Sequence, residues 1–175
     1  MGPARPSSDR YPTPFATYVD AVPEGEVLDL LQDQLAEVEV LFGALTEAQG
    51  GFRYAPGKWS LKDLLQHLLD GERVFAFRCL CIGRGEAASL PGFDEDAYAA
   101  VAAADRRSLR ELLDEWHFLR ASSLALFQSL SNDDWQRVGT ANQKSVVAAV
   151  FPYIAMGHVA HHLGVIRERY LPGLM

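Results

Sequence analysis

Three of the five histidines in this chain fall within five positions, in the stretch Gly157-His158-Val-Ala-His161-His162-Leu-Gly-Val165. A neutral imidazole is the commonest metal ligand that a side chain offers, so what the cluster can do depends on where its rings point. On a helix each residue advances by about 100°, which puts His162 some 40° from His158 and His161 about 60° away on the other side. His158 and His162 are therefore the pair aligned for one shared ion, and His161 is their neighbour. The apolar stripe Val147, Val150, Phe151 and Ile154 runs on into this pair, which turns both rings inward. Two imidazoles buried side by side lose hydration and repel once protonated, and a cation between them is a simple explanation.

An open catalytic metal site takes three protein ligands, and His67 is the candidate for the third. It lies about six residues, or roughly 9 Å, past a helix start, while His162 lies about as near the end of its own helix. If those two helices run antiparallel, the three imidazoles share one height near one end of the molecule. Other metal motifs can be set aside. The stretch lacks the Glu that follows the first His of a zincin, and no Glu-x-x-His occurs for a di-iron bundle. His117, beside Trp116, has a weaker claim and is expected at the edge of a helix.

The elements that must hold these residues are helical. Leu28, Leu31, Leu35, Val38, Phe42 and Leu45 recur at steps of three and four, which predicts a first helix over 24–49, ended by Gly50-Gly51. Ser60 is an N-cap with Asp63 three residues on, flanked by the Trp59 and Leu64 staple, and starts a second helix from Leu61 to about Ile82. In that helix Glu72 fills a position where the seam calls for an apolar residue. Residues 83–106 form a long crossover, with an Ala-rich helical part from Asp94. Ser108, with Glu111, caps a third helix that carries Leu109, Leu112, Trp116, Leu124 and Phe127 to about Leu130. A polar loop with Gly139 and Asn142 leads to a fourth helix, from near Ser145 to about Tyr170, in which Pro152 makes a kink or marks where the regular part begins. With no alternating strand pattern, the expected fold is an all-α four-helix bundle with a long crossover between the second and third helices.

Composition bounds the function. A chain of 175 residues is long enough for one sizeable core. The expected division is a flexible N-terminal tail over 1–14, frayed or lying across the body, and a single bundle domain over 15–175. The 16 Lys and Arg against 23 Asp and Glu contain no basic run, which argues against nucleic acid as a partner. Without a leader or a membrane-length apolar stretch, a soluble cytoplasmic protein that does not enter a membrane is expected. Cys79 and Cys81, two residues apart, point to nearly opposite sides of a helix and read as small buried hydrophobes. Phe15, Tyr18 and Tyr98 are apolar positions that could serve a homodimer interface.

The segments YAPGKWSLKDLLQHLLDGERVFAFRCL, LPGFDEDAYAA and GHVAHHLGV together resemble the DinB-like (YfiT/DinB) superfamily of metalloenzymes, over about Tyr18 to Tyr170. The resemblance implies a four-helix bundle, a divalent cation, often nickel or zinc, and His67, His158 and His162 as its ligands. It also implies kinship with thiol S-transferases and isomerases that use low-molecular-weight thiols such as bacillithiol or mycothiol. The expected function is thus thiol transfer to a small electrophilic substrate, the metal activating the thiolate. The alternatives are a hydrolase that uses metal-bound water and a bundle that binds metal or ligand without turnover, in stress response. Tyr54, Trp59 and Arg78 are candidate pocket residues, though Trp59 already serves as a staple and Arg78 could simply pair with a carboxylate. Glu72 and His161 are candidates for support behind the ligands, Glu72 either as an acceptor or as the partner of an arginine.

Overall fold

The computed structural model describes residues 2–174. Four long helices dominate it: α2 (Val27–Gly43), α4 (Leu61–Gly83), α6 (Leu109–Gln128) and α8 (Phe151–Val165). Short helices α1 (Ala16–Asp20), α3 (Glu47–Gly50), α5 (Glu95–Ala102) and α7 (Asn132–Gln136) fill the connections. A hairpin of β1 (Val138–Ala141) and β2 (Lys144–Val147) precedes α8. The bundle is the expected one, with a small strand pair that the sequence did not announce.

The long helices pack in the ring α2–α6–α4–α8, so α2 sits across from α4 and α6 across from α8. Side-chain contacts give their directions. Lys62 reaches the carbonyl of Arg107 and Arg73 pairs with Glu115, so α4 and α6 run parallel. Parallel neighbours require the chain to return to its starting end, and the crossover of residues 84–108 does that. His67 meets His162, and Cys79 meets the carbonyl of Ala148, so α4 and α8 are antiparallel. The crossover is tied to the hairpin by hydrogen bonds from Leu90 N to Thr140 O (2.8 Å) and from Asn142 N to Leu90 O (2.9 Å).

Both expected capping boxes form, at Ser60 with Asp63 and at Ser108 with Glu111. The first helix is shorter than its periodicity suggests. It stops at Gly43, and Thr46 with Gln49 makes a further capping box that starts α3 as a separate turn. The fourth helix starts at Phe151 rather than near Ser145, with Pro152 in its first turn, where a missing N–H costs nothing. It closes in a π-helical turn, Ile166–Tyr170, whose last residue donates from its hydroxyl to the carbonyl of Trp59 at 2.9 Å.

The N-terminal segment is not a free tail. Arg5 donates to the carbonyls of Val19 (3.2 Å), Val22 (2.6 Å) and Pro23 (3.0 Å), satisfying groups at the end of α1, and Tyr153 donates to Pro3 O at 3.0 Å. Pro3 and Tyr11 are buried. A Pro- and Ser-rich stretch without periodicity is thus held by side-chain bonds to backbone carbonyls. Among the described residues one helical run, Ala148–Gly173, is long and apolar enough to cross a membrane, but 72% of its apolar window is buried inside the bundle, as a core helix would be.

The core consists of two apolar clusters, one around Leu31, Phe75, Leu124 and Phe151, the other around Leu35, Leu68, Trp116 and Leu163. Between them lies a buried polar layer of Gln34, Glu72, Arg120, Ser123 and His158. Glu72 occupies the seam position noted in the sequence, with its Oε1 3.1 Å from Arg120 Nε, close enough for an ion pair but not aligned as a hydrogen bond. Arg120 also donates to Gln34 Oε1 at 3.3 Å and lies over the Trp116 ring at 4.6 Å. Gln34 in turn donates to the carbonyl of Met156 on α8.

Candidate metal centre

Each imidazole reaches the site from a regular part of its helix. Ser60 fixes where α4 begins, and His67, two turns on, faces α8; one turn apart on the antiparallel α8, His158 and His162 face back. His67 Nε2 lies 2.8 Å from His158 Nε2 and 3.2 Å from His162 Nε2, and donor nitrogens of all three fall within 4.8 Å of one another. One Nε2–H can satisfy one of the two approaches to His67, not both. A common cation satisfies both: nitrogens bound at about 2.0–2.1 Å to one ion, at right or tetrahedral angles, stand roughly 2.8–3.4 Å apart. The donor set fits a divalent ion. Among the described residues no fourth His, Cys, Asp or Glu joins the cluster.

Electrostatics favour the same state. Burial, and then the charges of neighbouring imidazoles, pushes His162 down to about 3. His158 is held well below the usual imidazole range, by burial first, then by His162 and His67 and, more weakly, by Arg120. Burial also lowers His67, against the opposing pull of Glu95 and Asp96. All three are therefore neutral at physiological pH, with lone pairs available.

Two glycines make room. A Cβ at Gly71 would stand 2.9 Å from Cε1 of His158, and a Cβ at Gly157 would stand 2.0 Å from the carbonyl oxygen of Tyr18. The second contact brings α1 onto α8 and places the Tyr18 ring edge-on to His158 at 5.6 Å. Phe75 meets the other side of His158 at 5.4 Å, and Trp59 lies 4.7 Å from His67. The triad forms the floor of a cavity of about 420 Å³ walled by these aromatics with Phe15 and Phe93.

His67, His158 and His162 converge, Trp59 and Arg78 line the cavity, and His161 stands beside His162 on the cavity wall, exposed and outside the cluster. Tyr54 does not line the cavity; its ring packs edge-on against Tyr170 at 4.8 Å. Glu72 takes the second of its two expected roles, as the partner of Arg120. Arg78 makes no ion pair among the described residues. His117 pairs with Glu39 on the far side of the bundle, at its surface. Sequence reasoning missed Phe15 and Tyr18 as site residues, and also Glu95, Asp96 and Asn142, because they arrive on α1, the crossover and the hairpin turn, whose positions only tertiary contacts define.

No curated protein sequence matches the chain. In fold it is similar to YfiT from Bacillus subtilis, described as a probable metal-dependent hydrolase with an unusual four-helix bundle topology, with a TM-score of 0.73 at 17% identity over 84% of this chain and 90% of that one. It is also similar to a mycothiol-dependent maleylpyruvate isomerase, with a TM-score of 0.67 at 17% identity over 82% of this chain and 60% of the isomerase. A family model covers residues 30–166 and so includes all three converging histidines. By that match this chain belongs to the DinB superfamily.

Proposed function

We propose that the protein is a metal-dependent enzyme that joins a low-molecular-weight thiol to a small electrophile, with His67, His158 and His162 holding a zinc or nickel ion. The observation that carries this reading is the three-imidazole floor, without a fourth protein donor among the described residues, opening into a cavity of about 420 Å³. Held by His67, His158 and His162, a divalent cation would supply Lewis acidity that favours the deprotonated form of a thiol or water at neutral pH. The chain's own residues orient and enclose. Trp59 buttresses His67, Tyr18 and Phe75 buttress His158, and their rings exclude water from the wall on which a substrate would lie. The sulfur forms the new bond to carbon, its proton goes to solvent, and the leaving group departs with the bonding electrons.

Thiol chemistry is preferred to water activation because a hydrolase needs a general base within reach. Glu72 is committed to Arg120, while Glu95, Asp96 and His161 stand exposed at the cavity wall. Fold-level likeness to a mycothiol-dependent isomerase is consistent with the thiol, and likeness to YfiT keeps hydrolysis as the second reading.

Metal analysis comes first: about one equivalent of divalent ion should be retained after gentle purification and reloading, and less than about 0.2 equivalents would remove the premise. Metal-loaded protein is then incubated with a bimane electrophile and several cellular thiols. The expected result is thiol-dependent conjugation that His158→Ala and His162→Ala abolish. Background rates with every thiol, together with metal-dependent cleavage of an ester or amide panel, would establish the hydrolase instead.

A further inference from the structure

We infer that Arg78 is the anchor for an anionic group, a carboxylate or phosphate, on the molecule that occupies the cavity, and that it selects elongated substrates whose anionic end lies at a distance from the reacting atom. This deepens the function proposed above and rests on the cavity being a substrate site. Arg78 is only 5% exposed, and arginines so buried are ordinarily paired with an acid. Here the guanidinium has one hydrogen bond, from Nη2 to the carbonyl of Pro91 at 2.7 Å, and lies 5.8 Å from the centre of the Phe93 ring. Its other nitrogens are not among the sealed, unsatisfied atoms of the core, and the residue lines the same cavity as the triad. Nε and Nη1 are thus donors without a protein partner among the described residues, on a residue that borders both this cavity and a smaller one of about 180 Å³ beside Pro91 and Tyr98. Burial lowers the guanidinium pKa from its ordinary value, which marks a desolvated cation whose electrostatic compensation is incomplete.

The geometry sets the shape of the ligand. His67 and Arg78 are eleven residues apart on α4, about three turns, so they share a face with Cα atoms roughly 16 Å apart. Phe75 lies between them and touches His158. A ligand that spans this distance has its reacting end at the imidazoles, an apolar body across Phe75 and an anion in the fork of the guanidinium. Glu95 and Asp96, at the exposed rim, admit such an anion because water screens them, whereas Arg78, nearly buried, is screened less.

Calorimetric titration of zinc-loaded protein with ω-mercapto carboxylates from mercaptoacetate to mercaptoundecanoate, the matching ω-mercapto alcohols, and alkanoates without sulfur tests this. The expected result is an optimum at intermediate length, with the carboxylate at least about tenfold tighter than its alcohol. Arg78→Gln should abolish that preference and Arg78→Lys should retain part of it; ω-mercaptoalkyl phosphonates show which anion fits better. Equal binding of acid and alcohol by the native protein, or a preference that survives in Arg78→Gln, overturns the proposal. The native acid-to-alcohol ratio decides the matter even if Arg78→Gln fails to fold. If sulfur contributes nothing but alkanoates still show Arg78-dependent binding, the thiol reading fails and the anion site stands; if sulfur matters and the acid group does not, the reverse holds.

Discussion

The three imidazoles are unlike free histidine because of where they sit, and this has a consequence in acid. Their folded pKa values lie below the ordinary 6.5, that of His162 at about 3, with burial as the first cause in each case. In the unfolded chain they regain ordinary values, so between about pH 6.5 and 3 the unfolded state binds more protons and stability rises with pH. The contribution is fully present above about 6.5 and is lost as pH falls towards 3. Urea midpoints of metal-free protein should therefore drop between neutral pH and about pH 5, and His162→Gln should flatten that drop; an equal acid loss in both proteins would mean that the triad is not its source. Gly71 acts on the same site through space. A methyl there would meet His158 Cε1 at 2.9 Å and must push the ring from its place. Gly71→Ala is expected to weaken metal binding by about tenfold or more, the scale of lost ligand positioning, while the circular dichroism stays helical. Chelator competition measures it, and unchanged affinity would show that the ring can yield without cost.

α4 is the element that sets the site's dimensions, because one helix carries His67, Phe75 and Arg78 along the cavity and Gly71 against His158, while its seam holds Glu72 towards α6. Much of this was legible. The Ser60 and Ser108 capping boxes marked helix starts to the residue, and the i, i+4 spacing separated His158 and His162 from His161. What was hidden is what the local pattern does not encode. Strands of four residues are too short for alternation to register, and the hairpin turn uses Asn142 and Gln143 at positive φ, without the glycine that announces such turns. α1 is five residues long and is held by Arg5 and by the Gly157 contact, so neither its place nor Tyr18's could be read from periodicity. The polar slot at Glu72 was visible, but its partner Arg120 lies 48 residues away on another helix. Breaking a buried pair leaves an uncompensated charge, so Glu72→Gln should cost about 3–5 kcal/mol, whereas Glu72→Leu with Arg120→Met should recover most of it. Chemical denaturation of the single and double variants decides this; a double variant as unstable as the single would mean that Arg120's bond to Gln34 and its contact with Trp116 matter more than the charge pair.

At the scale of the whole molecule the histidines join parts of the chain that are far apart in sequence. His67 and His158 are separated by 91 residues, and α4 and α8 meet only because the crossover returns the chain so that α6 runs parallel to α4 and leaves α8 antiparallel to it. The site therefore exists in the folded protein and not in the unfolded one, and a cation bound to it stabilises the fold by mass action. The triad also lies at the polar layer between the two apolar clusters, where the core is least continuous. A clamp between α4 and α8 acts there on the joint between the halves. At a free metal concentration of one hundred times Kd the gain is about 2.7 kcal/mol, and for a chain of this size that corresponds to a Tm rise of roughly 5–11 °C. Differential scanning calorimetry of metal-free and zinc-loaded protein should show the rise in the native chain, its reversal by chelator, and its absence in His158→Ala. A rise that persists in His158→Ala would place the stabilising ion elsewhere. Loss of the rise with a single cooperative transition retained is the result expected of a clamp spanning one folding unit, since a cation that only decorated the end of α8 would leave the contact between α4 and α8 to melt as it does without metal.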